Sequence, residues 1–425
     1  MTVSVGGSVD LLIPDMARRA RAASRQLATT SGEQRRVALH AMADALAAAA
    51  DEIVAANALD LAAADATAIG AAMRDRLVLD HPGVKKLTAA VREIAEQPDP
   101  LGEVTDALVR PNGLRVSRVR IPLGVVAMIY ESRPNVTADA AALCLKAGNA
   151  SVLRGGKEAL HSNRAIADAL RVGLGTTAVP PDAIQLIPIA DRAAVDVLLE
   201  QDQYIDLVIP RGGEGLIRAV TEKSRIPVLQ HYKGVCHVYV DASADARMAT
   251  DIVSNAKVQR PGVCNALETL LVHQTAAPDL LPVIARALTD SGVELRGCAR
   301  TQELLGDVVV PASEADWDAE YLDLILAVRI VDDLAAAIEH IDNHGSSHTE
   351  AIVTADDSAA QQFVAAVQAS TVLVNASTRF ADGGQLGLGA EIGISTSKLH
   401  AFGPMGAREL TTRKFVVEGT GQIRG

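Results

Sequence analysis

Cys264 is the residue of this sequence whose type and neighbours best fit a catalytic nucleophile. The dipeptide Pro261-Gly262 predicts a turn immediately before it, and the mostly apolar residues 267–272 predict a strand after it. Thiolate is the reactive form of cysteine, and Lys257 and Arg260 could stabilise that anion if the fold brings them close. The alternative is a cysteine that is buried as a small apolar side chain.

The other three cysteines lack this setting. Cys144 lies in a predicted helix, Cys236 in an apolar run and Cys298 at a predicted turn, and we expect the first two in the core. No pair has the spacing of metal ligands, and four cysteines in 425 residues do not form a disulfide framework. His344 and His348 could bind a metal from a helix, but the glycine and two serines between them favour a loop. We therefore expect no metal, and a reduced, cytoplasmic protein.

Two glycine-containing turns are candidate phosphate sites. Arg154 and Lys157 flank two glycines directly after a predicted strand, so two cations would meet where the backbone can approach an anion, and a 2′-phosphate of NADP would fit there. A solvated basic turn is the alternative. Gly212 and Gly213 precede a predicted helix whose N-terminus could face a phosphate, although a plain turn explains them equally well. The Gly387-Leu388-Gly389 segment has the wrong glycine spacing for a dinucleotide fingerprint.

Composition and charge exclude several classes of protein. A chain of 425 residues, 49% hydrophobic and 22% charged, fits an ordinary enzyme of two or three domains. Because only 2% of residues are aromatic and the net charge is −12, we expect no nucleic-acid partner. Residues 1–12 lack the basic and apolar regions of a signal peptide, and no run reaches the roughly 18 apolar residues of a membrane span. We expect neither export nor membrane insertion.

The surrounding pattern alternates helices and strands. Residues 14–65 are alanine-rich and predict helices, with Ser31 and Gln34 in a capping box before one long helical run, residues 35–56. Residues 114–121 alternate apolar and basic side chains, as in a half-exposed strand. Residues 123–130 are almost continuously apolar, as in a strand buried on both faces of a parallel sheet.

The order of buried strand, turn and helix then recurs, with strands predicted at residues 151–153, 183–188 and 205–209. Strands that alternate with helices predict right-handed βαβ units and a doubly wound α/β sheet. Ligands of such sheets bind at the carboxyl ends of the strands. The sequence therefore predicts binding sites in these turns.

Several long motifs, spread over nearly the whole chain, together resemble one family. The sequence resembles the gamma-glutamyl phosphate reductases, a family of the aldehyde dehydrogenase superfamily. The motifs are Pro122-Leu123-Gly124-Val125-Val126, Tyr130-Glu131-Ser132-Arg133-Pro134-Asn135-Val136-Thr137, Lys146-Ala147-Gly148-Asn149, the Cys264 segment, Ala337-Ile338-Glu339-His340-Ile341, His344-Gly345-Ser346-Ser347-His348-Thr349-Glu350 and Gly387-Leu388-Gly389-Ala390-Glu391-Ile392-Gly393 with Lys398-Leu399-His400.

The resemblance implies roles for individual residues. Cys264 falls on the nucleophile and Asn135 on the asparagine that stabilises the oxyanion, with the Cys264 amide as second donor. Arg154 falls where relatives have a lysine at the adenosine ribose. Lys157 replaces a glutamate found in NAD-preferring relatives, which favours NADP. Glu320 falls on the glutamate that holds the nicotinamide ribose.

Two positions depart from the pattern of relatives. His231 stands where aldehyde-oxidising relatives carry the glutamate that activates water for thioester hydrolysis. An enzyme that reduces an acyl phosphate must not hydrolyse its thioester, so the loss of this base fits reduction. Phe402 stands where members of the family commonly have an arginine. Any anion-binding role of that arginine is therefore in doubt in this chain.

The implied reaction is NADPH-dependent reduction of L-glutamyl 5-phosphate to L-glutamate 5-semialdehyde and phosphate through a Cys264 thioester, the second step of proline biosynthesis from glutamate. Arg133, Lys257 and Arg260 are candidate cations for the leaving phosphate. The loop with Ser377 and Arg379 would meet the amino-acid end of the substrate, where Arg379 suits an α-carboxylate. A purely structural arginine is the alternative for Arg379.

The resemblance also implies an architecture like that of aldehyde dehydrogenases. Residues 1–108 and 122–230 would form a Rossmann-type NADP-binding domain, residues 231–403 an α/β catalytic domain, and residues 109–121 and 404–425 a small β oligomerisation part. A homo-oligomer follows from the edge-like strands of that part. Glutamate 5-kinase, which supplies the labile substrate, is a candidate partner.

Two other functions are alternatives to acyl-phosphate reduction. The first is an NAD(P)-dependent oxidiser of free aldehydes, against which His231 argues. The second is a catalytically silent partner subunit, which would have no chemical reason to keep Cys264, Asn135 and the cations of the cofactor turn.

Overall fold

The computed structural model describes residues 9–67 and 70–424. Its N-terminal part is helical, as predicted, with the helices α1 (Val9–Leu27), α2 (Gly32–Ala48), α3 (Ala50–Ala66), α4 (Ala71–Leu77) and α5 (His81–Glu96). The capping box is confirmed, because the Ser31 side chain accepts from the Gln34 amide and the Gln34 side chain accepts from the Ser31 amide. The single run predicted for residues 35–56 is wrong: α2 ends at Ala48, and Ala49, with φ and ψ of −91° and 13°, separates it from α3.

A four-stranded parallel sheet follows. Its region contains β1 (Val104–Val109), β2 (Arg115–Pro122), β3 (Val125–Tyr130), α6 (Asn135–Lys146), β4 (Ala150–Gly155), α7 (Leu160–Leu174), β5 (Ile184–Leu186), α8 (Ala193–Leu199), β6 (Leu207–Arg211) and α9 (Glu214–Lys223). The sheet order is β5-β4-β3-β6. Every residue of β3 is buried, as its apolar run predicts. The α1, α2, α5, α6 and α7 helices share one apolar core with this sheet.

A second, seven-stranded parallel sheet has the order β10-β9-β11-β8-β7-β12-β13. Its region contains β7 (Cys236–Val240), α10 (Ala246–Val258), β8 (Leu267–His273), α11 (Ala277–Asp290), β9 (Glu294–Gly297), α12 (Ala299–Leu305), β10 (Val309–Pro311), α13 (Glu314–Trp317), β11 (Ile325–Val331), α14 (Leu334–His344), β12 (Thr349–Val353), α15 (Asp357–Ala366) and β13 (Thr371–Val374). One apolar cluster, with α10 and α11, covers one face of the sheet. A second cluster, with α14 and α15, covers the other face.

The chain ends in short antiparallel strands, β14 (Gly393–Ser395), β15 (Gly403–Met405) and β16 (Thr411–Glu418). The β16 strand pairs with β2, and β2 pairs with β1, in a three-stranded sheet. The hairpin begins at Val104, five residues before the boundary at residue 109 predicted for the oligomerisation part. The division into domains stays a prediction. Single 3₁₀ turns lie at Lys157–Ala159, Pro181–Ala183, Gly306–Val308 and Thr378–Phe380.

The helices were also compared with the requirements of a membrane span. Within residues 9–67 and 70–424, no helix combines the length and the apolar character that crossing a membrane requires.

Gly173 marks the closest approach of α7 to α2 and gives a test of this packing. A Cβ added at Gly173 would lie 2.5 Å from the Ala41 carbonyl oxygen, which is backbone and cannot rotate away. We expect Gly173→Ala to lower the free energy of unfolding by about 1–3 kcal/mol, because the two helices must separate. Urea unfolding measures the change.

Gly215→Ala is the matched control. It lies in α9, where no atom would come within 4 Å of the new Cβ. Alanine there should stabilise the protein by roughly 0.5–1 kcal/mol. Equal unfolding midpoints for the two variants would contradict the packing described for α2 and α7.

Candidate active site

Cys264 lies in the turn directly before β8, at the amino end of a strand in the seven-stranded sheet. The neighbouring strands β7 and β12 begin at the same edge, so Gly234 and His348 lie beside the Cys264 turn. The thiol is half-buried, and the thiols of Cys144 and Cys236 are fully buried as predicted. Cys264 is therefore a reactive-site candidate with access to solvent.

Two close contacts hold the main chain of Cys264. The Cys236 thiol donates to the Cys264 carbonyl oxygen at 3.2 Å. A Cβ at Gly234 would overlap the same carbonyl group, so only glycine fits at this position. The position of Cys264 is thus set by β7, the strand next to its own, and by the segment before that strand.

Arg133 and Arg379 lie within electrostatic range of Cys264, and Arg260 lies within range of both arginines. Desolvation lowers the pKa of Arg133, as does the charge of Arg211, whereas a thiolate at Cys264 raises it. Desolvation also lowers the pKa of Arg379. The charge of Cys264 raises that pKa, and the charge of Arg260 lowers it. The structure therefore brings together Arg133, Arg260 and Arg379, which are 246 residues apart at most in sequence (379 − 133).

Lys257 requires a correction to the predicted set of phosphate-binding cations. Its Nζ lies 2.7 Å from Glu268 Oε2, and both side chains are fully buried. Burial raises the pKa of Glu268 to about 7, and the Lys257 ammonium opposes that shift. The other Glu268 oxygen accepts from the Leu322 amide at 3.3 Å. Lys257 thus links α10 to the start of β8 and is not free to bind a substrate phosphate.

Asn135 is the first residue of α6 and follows a strained turn after β3. Ser132 in this turn has a φ of 42°, and Glu158 stabilises it by accepting from the Ser132 amide at 2.6 Å and from its hydroxyl at 2.9 Å. The Asn135 amide donates to Asp139 at 3.0 Å and is otherwise exposed. Its oxyanion role stays a prediction.

A cavity of about 490 Å³ lies at the carboxyl ends of the four-stranded sheet. Arg154 and Lys157 line it, as predicted for a cofactor site, and Arg192, Lys223 and Glu158 were not foreseen. The Arg154 guanidinium donates to the Ala190 carbonyl at 3.1 Å, and its buried Nε has no hydrogen-bond partner within the described residues. The cavity has the size of a small-molecule site, and four cations line it (Arg154, Lys157, Arg192 and Lys223) against three carboxylates (Glu131, Glu158 and Asp196).

Gly212 and Gly213 require a second correction. The Gly213 amide donates to the Glu131 carboxylate at 3.0 Å, and a Cβ at Gly212 would overlap that carboxylate. An amide already bonded to an anion is not free for a phosphate. The α9 helix instead contributes Gly215 and Leu216 to the cavity.

Glu320 lies on the other side of the Cys264 turn. Its Oε1 accepts from the Gly234 amide at 2.9 Å, and burial raises its pKa. Glu320 is therefore connected to Cys264 through one glycine. Its contact with a nicotinamide ribose stays a prediction.

The loop after β13 reaches back to the Cys264 turn. Arg379 Nε donates to Gln259 at 2.8 Å, and Arg379 Nη1 contacts the Asn265 side chain, next to Cys264. Ser377 is buried, and its hydroxyl accepts from the Arg379 amide at 3.3 Å, so it shapes the loop. Arg379 thus has a structural role and lies close to the nucleophile.

Sequence reasoning missed a group of three side chains around the thiol. His231, Cys264 and His348 each offer one metal-ligand atom, and these atoms lie within 4.8 Å of one another. Burial lowers the pKa of His348 to about 4. The prediction that residues 345–347 form a loop is confirmed, because α14 ends at His344. Spacing along the chain gave no signal, because the three residues lie on three different segments.

Comparisons with known proteins agree with this geometry. The family model described as "Aldehyde dehydrogenase family" matches residues 11–294. The gamma-glutamyl phosphate reductase of Desulfatibacillum aliphaticivorans is 57% identical over 98% of this chain and 100% of its own length. That of Geotalea daltonii is 56% identical over 97% of this chain and 98% of its own length. A crystal structure of gamma-glutamyl phosphate reductase from Thermotoga maritima superposes with a TM-score of 0.95 at 45% identity, over 97% of this chain and all of that one.

The chain belongs to the gamma-glutamyl phosphate reductase family of the aldehyde dehydrogenases. This membership confirms the predicted aldehyde-dehydrogenase-like α/β fold. It also makes the chain an oxidoreductase with a nicotinamide dinucleotide as cofactor. The described cavity and its cations fit that cofactor class.

The buried pair of Lys257 and Glu268 yields a prediction about stability. We expect Lys257→Met to lower the free energy of unfolding by about 3–5 kcal/mol, because it leaves the Glu268 carboxyl buried without its partner. Guanidinium unfolding measures the loss. The double variant Lys257→Met with Glu268→Leu should recover most of it, since no polar group is then left unpaired. If Lys257→Met were as stable as the unaltered protein, the buried ion pair described here would be contradicted.

Proposed function

We propose that this chain reduces L-glutamyl 5-phosphate to L-glutamate 5-semialdehyde and phosphate with NADPH, the second step of proline biosynthesis. The observation that carries the proposal is a half-buried thiol at Cys264 that interacts electrostatically with Arg133 and Arg379. An acyl phosphate supplies an electrophilic carbonyl and a dianionic leaving group, which a thiol among cations suits. The names of relatives that are 55–57% identical to this chain support the same substrate.

The chain's own residues supply the nucleophile and the charge. The Cys264 thiolate attacks the γ-carbonyl, and the oxyanion is held by the Asn135 amide and the Cys264 N–H. The carbon–oxygen bond to phosphate breaks, phosphate leaves without needing a proton, and a Cys264 thioester remains. Reduction of this thioester needs a hydride, which NADPH would supply when bound in the cofactor cavity. The thiohemiacetal anion then collapses, which releases the aldehyde and restores the thiolate.

His231 distinguishes this reaction from aldehyde oxidation. It is the half-buried side chain beside the thiol, where aldehyde-oxidising relatives have a carboxylate base. In those relatives the carboxylate activates water for hydrolysis of the thioester. The absence of that carboxylate fits a thioester that is reduced rather than hydrolysed. The aldehyde-oxidising alternative is tested by the first experiment below.

Substrate anions would bind to the arginines near Cys264. Arg133 and Arg260 are the candidates for the leaving phosphate, since Lys257 is buried in its ion pair. Arg379 keeps guanidinium N–H groups beyond those that contact Gln259 and Asn265, and these would bind the α-carboxylate.

NADP preference would come from the cofactor cavity. Arg154, Lys157 and Arg192 line it. Burial lowers the pKa of Arg154, the charge of Glu158 opposes that shift, and the charge of Arg192 lowers the pKa further. A 2′-phosphate would relieve the repulsion between the two arginines. Glu320 would hold the nicotinamide ribose at the other end of the cofactor.

A homo-oligomer is consistent with the open edges of the three-stranded sheet. The edge strands β1 and β16 expose Val109, Phe415 and Val417, at 71%, 66% and 54% of their surface. Exposed apolar edge strands pair readily with a second chain. Association with glutamate 5-kinase and a cytoplasmic location stay predictions.

The reaction is tested in reverse with L-glutamate 5-semialdehyde, NADP⁺ and phosphate, by following NADPH absorbance. We expect NADP⁺ reduction that requires phosphate and that falls by at least about 10³-fold in Cys264→Ala, which lacks the nucleophile. Cys298→Ala, which alters another half-buried cysteine, should retain full activity. Equal rates without phosphate would show that water is the acceptor and that the chain oxidises aldehydes.

Cofactor choice is tested with Lys157→Glu. A carboxylate there would repel the 2′-phosphate and accept from the ribose hydroxyls of NAD, so the ratio of kcat/KM for NADPH over NADH should fall about 10–100-fold. Lys85→Glu makes the same charge change on the exposed face of α5 and should leave the ratio unchanged. A ratio unaffected by Lys157→Glu would remove this residue from the cofactor site.

A further inference from the structure

The three side chains around the thiol form a group with its own chemistry. His231 precedes β7, Cys264 precedes β8 and His348 precedes β12, and one ligand atom from each lies within 4.8 Å of the other two. One thiolate and two imidazoles are a soft and borderline donor set, which suits zinc. The reduction proposed above uses only the thiol of this group.

The spacing is close to that of a zinc centre. With Zn–S near 2.3 Å and Zn–N near 2.0–2.1 Å, ligand atoms of a tetrahedral site lie about 3.3–3.6 Å apart. Closing the observed group to that size needs movements of about 1 Å at most for each side chain. His231 and Cys264 are only half-buried, so rotation of their side chains can supply this movement.

His348 is the anchor of the group. Its ring is fully buried, its Nδ1 lies 2.8 Å from the Thr349 hydroxyl, and its Nε2 has no hydrogen-bond partner among the described residues. A buried ring nitrogen without a partner is costly, and a metal ion would satisfy it. The Thr349 contact meanwhile fixes the ring, as contacts behind the metal-binding histidine commonly do.

We propose that His231, Cys264 and His348 form a reversible Zn²⁺ site that inhibits the enzyme. Zn²⁺ bonds to the Cys264 sulfur, the thiol proton passes to solvent, and the two imidazoles donate their nitrogen lone pairs. Three protein ligands leave a fourth position for water, so the ion can exchange. The inhibitory part rests on the proposed function, because the sulfur that binds Zn²⁺ is the one that attacks the acyl phosphate.

Direct binding of Zn²⁺ to the purified full-length chain tests the site without substrate or cofactor. Competition with a chromophoric chelator should give one Zn²⁺ per chain. Affinity should fall at least about tenfold in Cys264→Ser and in His231→Ala. His231 is half-buried, so its variant stays informative if a variant of the buried His348 does not fold.

Two matched variants control for other ligands. Cys298→Ser removes another half-buried thiol and His81→Ala removes an exposed histidine paired with Asp51, and both should bind Zn²⁺ as the unaltered chain does. Co²⁺ should produce a thiolate-to-metal absorption band that Cys298→Ser keeps and Cys264→Ser loses. Absence of stoichiometric binding, or unchanged affinity in Cys264→Ser, would overturn the site.

Measuring activity with and without Zn²⁺ distinguishes a failure of the metal site from a failure of the proposed function. Zn²⁺ should stop the phosphate-dependent reaction, and a chelator should restore it. If Zn²⁺ binds as described but no phosphate-dependent reaction exists, the proposed function fails while the metal site stands. If the reaction runs and Zn²⁺ at binding concentrations leaves its rate unchanged, inhibition at Cys264 is refuted.

Discussion

The structure of the site depends on the close contact between the main chains of Gly234 and Cys264. Because a Cβ at Gly234 would overlap the Cys264 carbonyl group, the turn before β8 can lie directly on the segment before β7. The Gly234 amide is then free to donate to Glu320, at 2.9 Å. One glycine therefore fixes the distance between the nucleophile, the histidine at position 231 and a candidate cofactor ligand.

The site lies where the two sheets present opposite ends of their strands to the same region. The four-stranded sheet contributes turns at the carboxyl ends of its strands, as parallel sheets usually do. The seven-stranded sheet contributes Cys264 and His348 from the amino ends of its strands. Strained backbone is concentrated near these turns, with positive φ at Ser132, Leu322 and Ser347.

Burial decides what each charged side chain near the site can do. Lys257 and Arg260 are three residues apart, yet the first is fully buried against Glu268 and the second is exposed. A buried ion pair has satisfied its charge and connects elements of the fold, whereas an exposed arginine keeps donors for an anion. The same reasoning separates Gly213, whose amide is bonded to Glu131, from Arg154 and Lys157, which line the open cavity.

The sequence by itself determined most local elements and marked Cys264 as the candidate nucleophile. The apolar run of β3, the capping box of α2 and the turn before Cys264 depend on neighbours within a few residues, so their patterns were readable. The grouping of His231, Cys264 and His348 and the pairing of Lys257 with Glu268 were decided only by the tertiary structure. Their geometry depends on which strands become neighbours in the seven-stranded sheet and on how deeply each side chain is buried, and no spacing along the chain encodes either quantity.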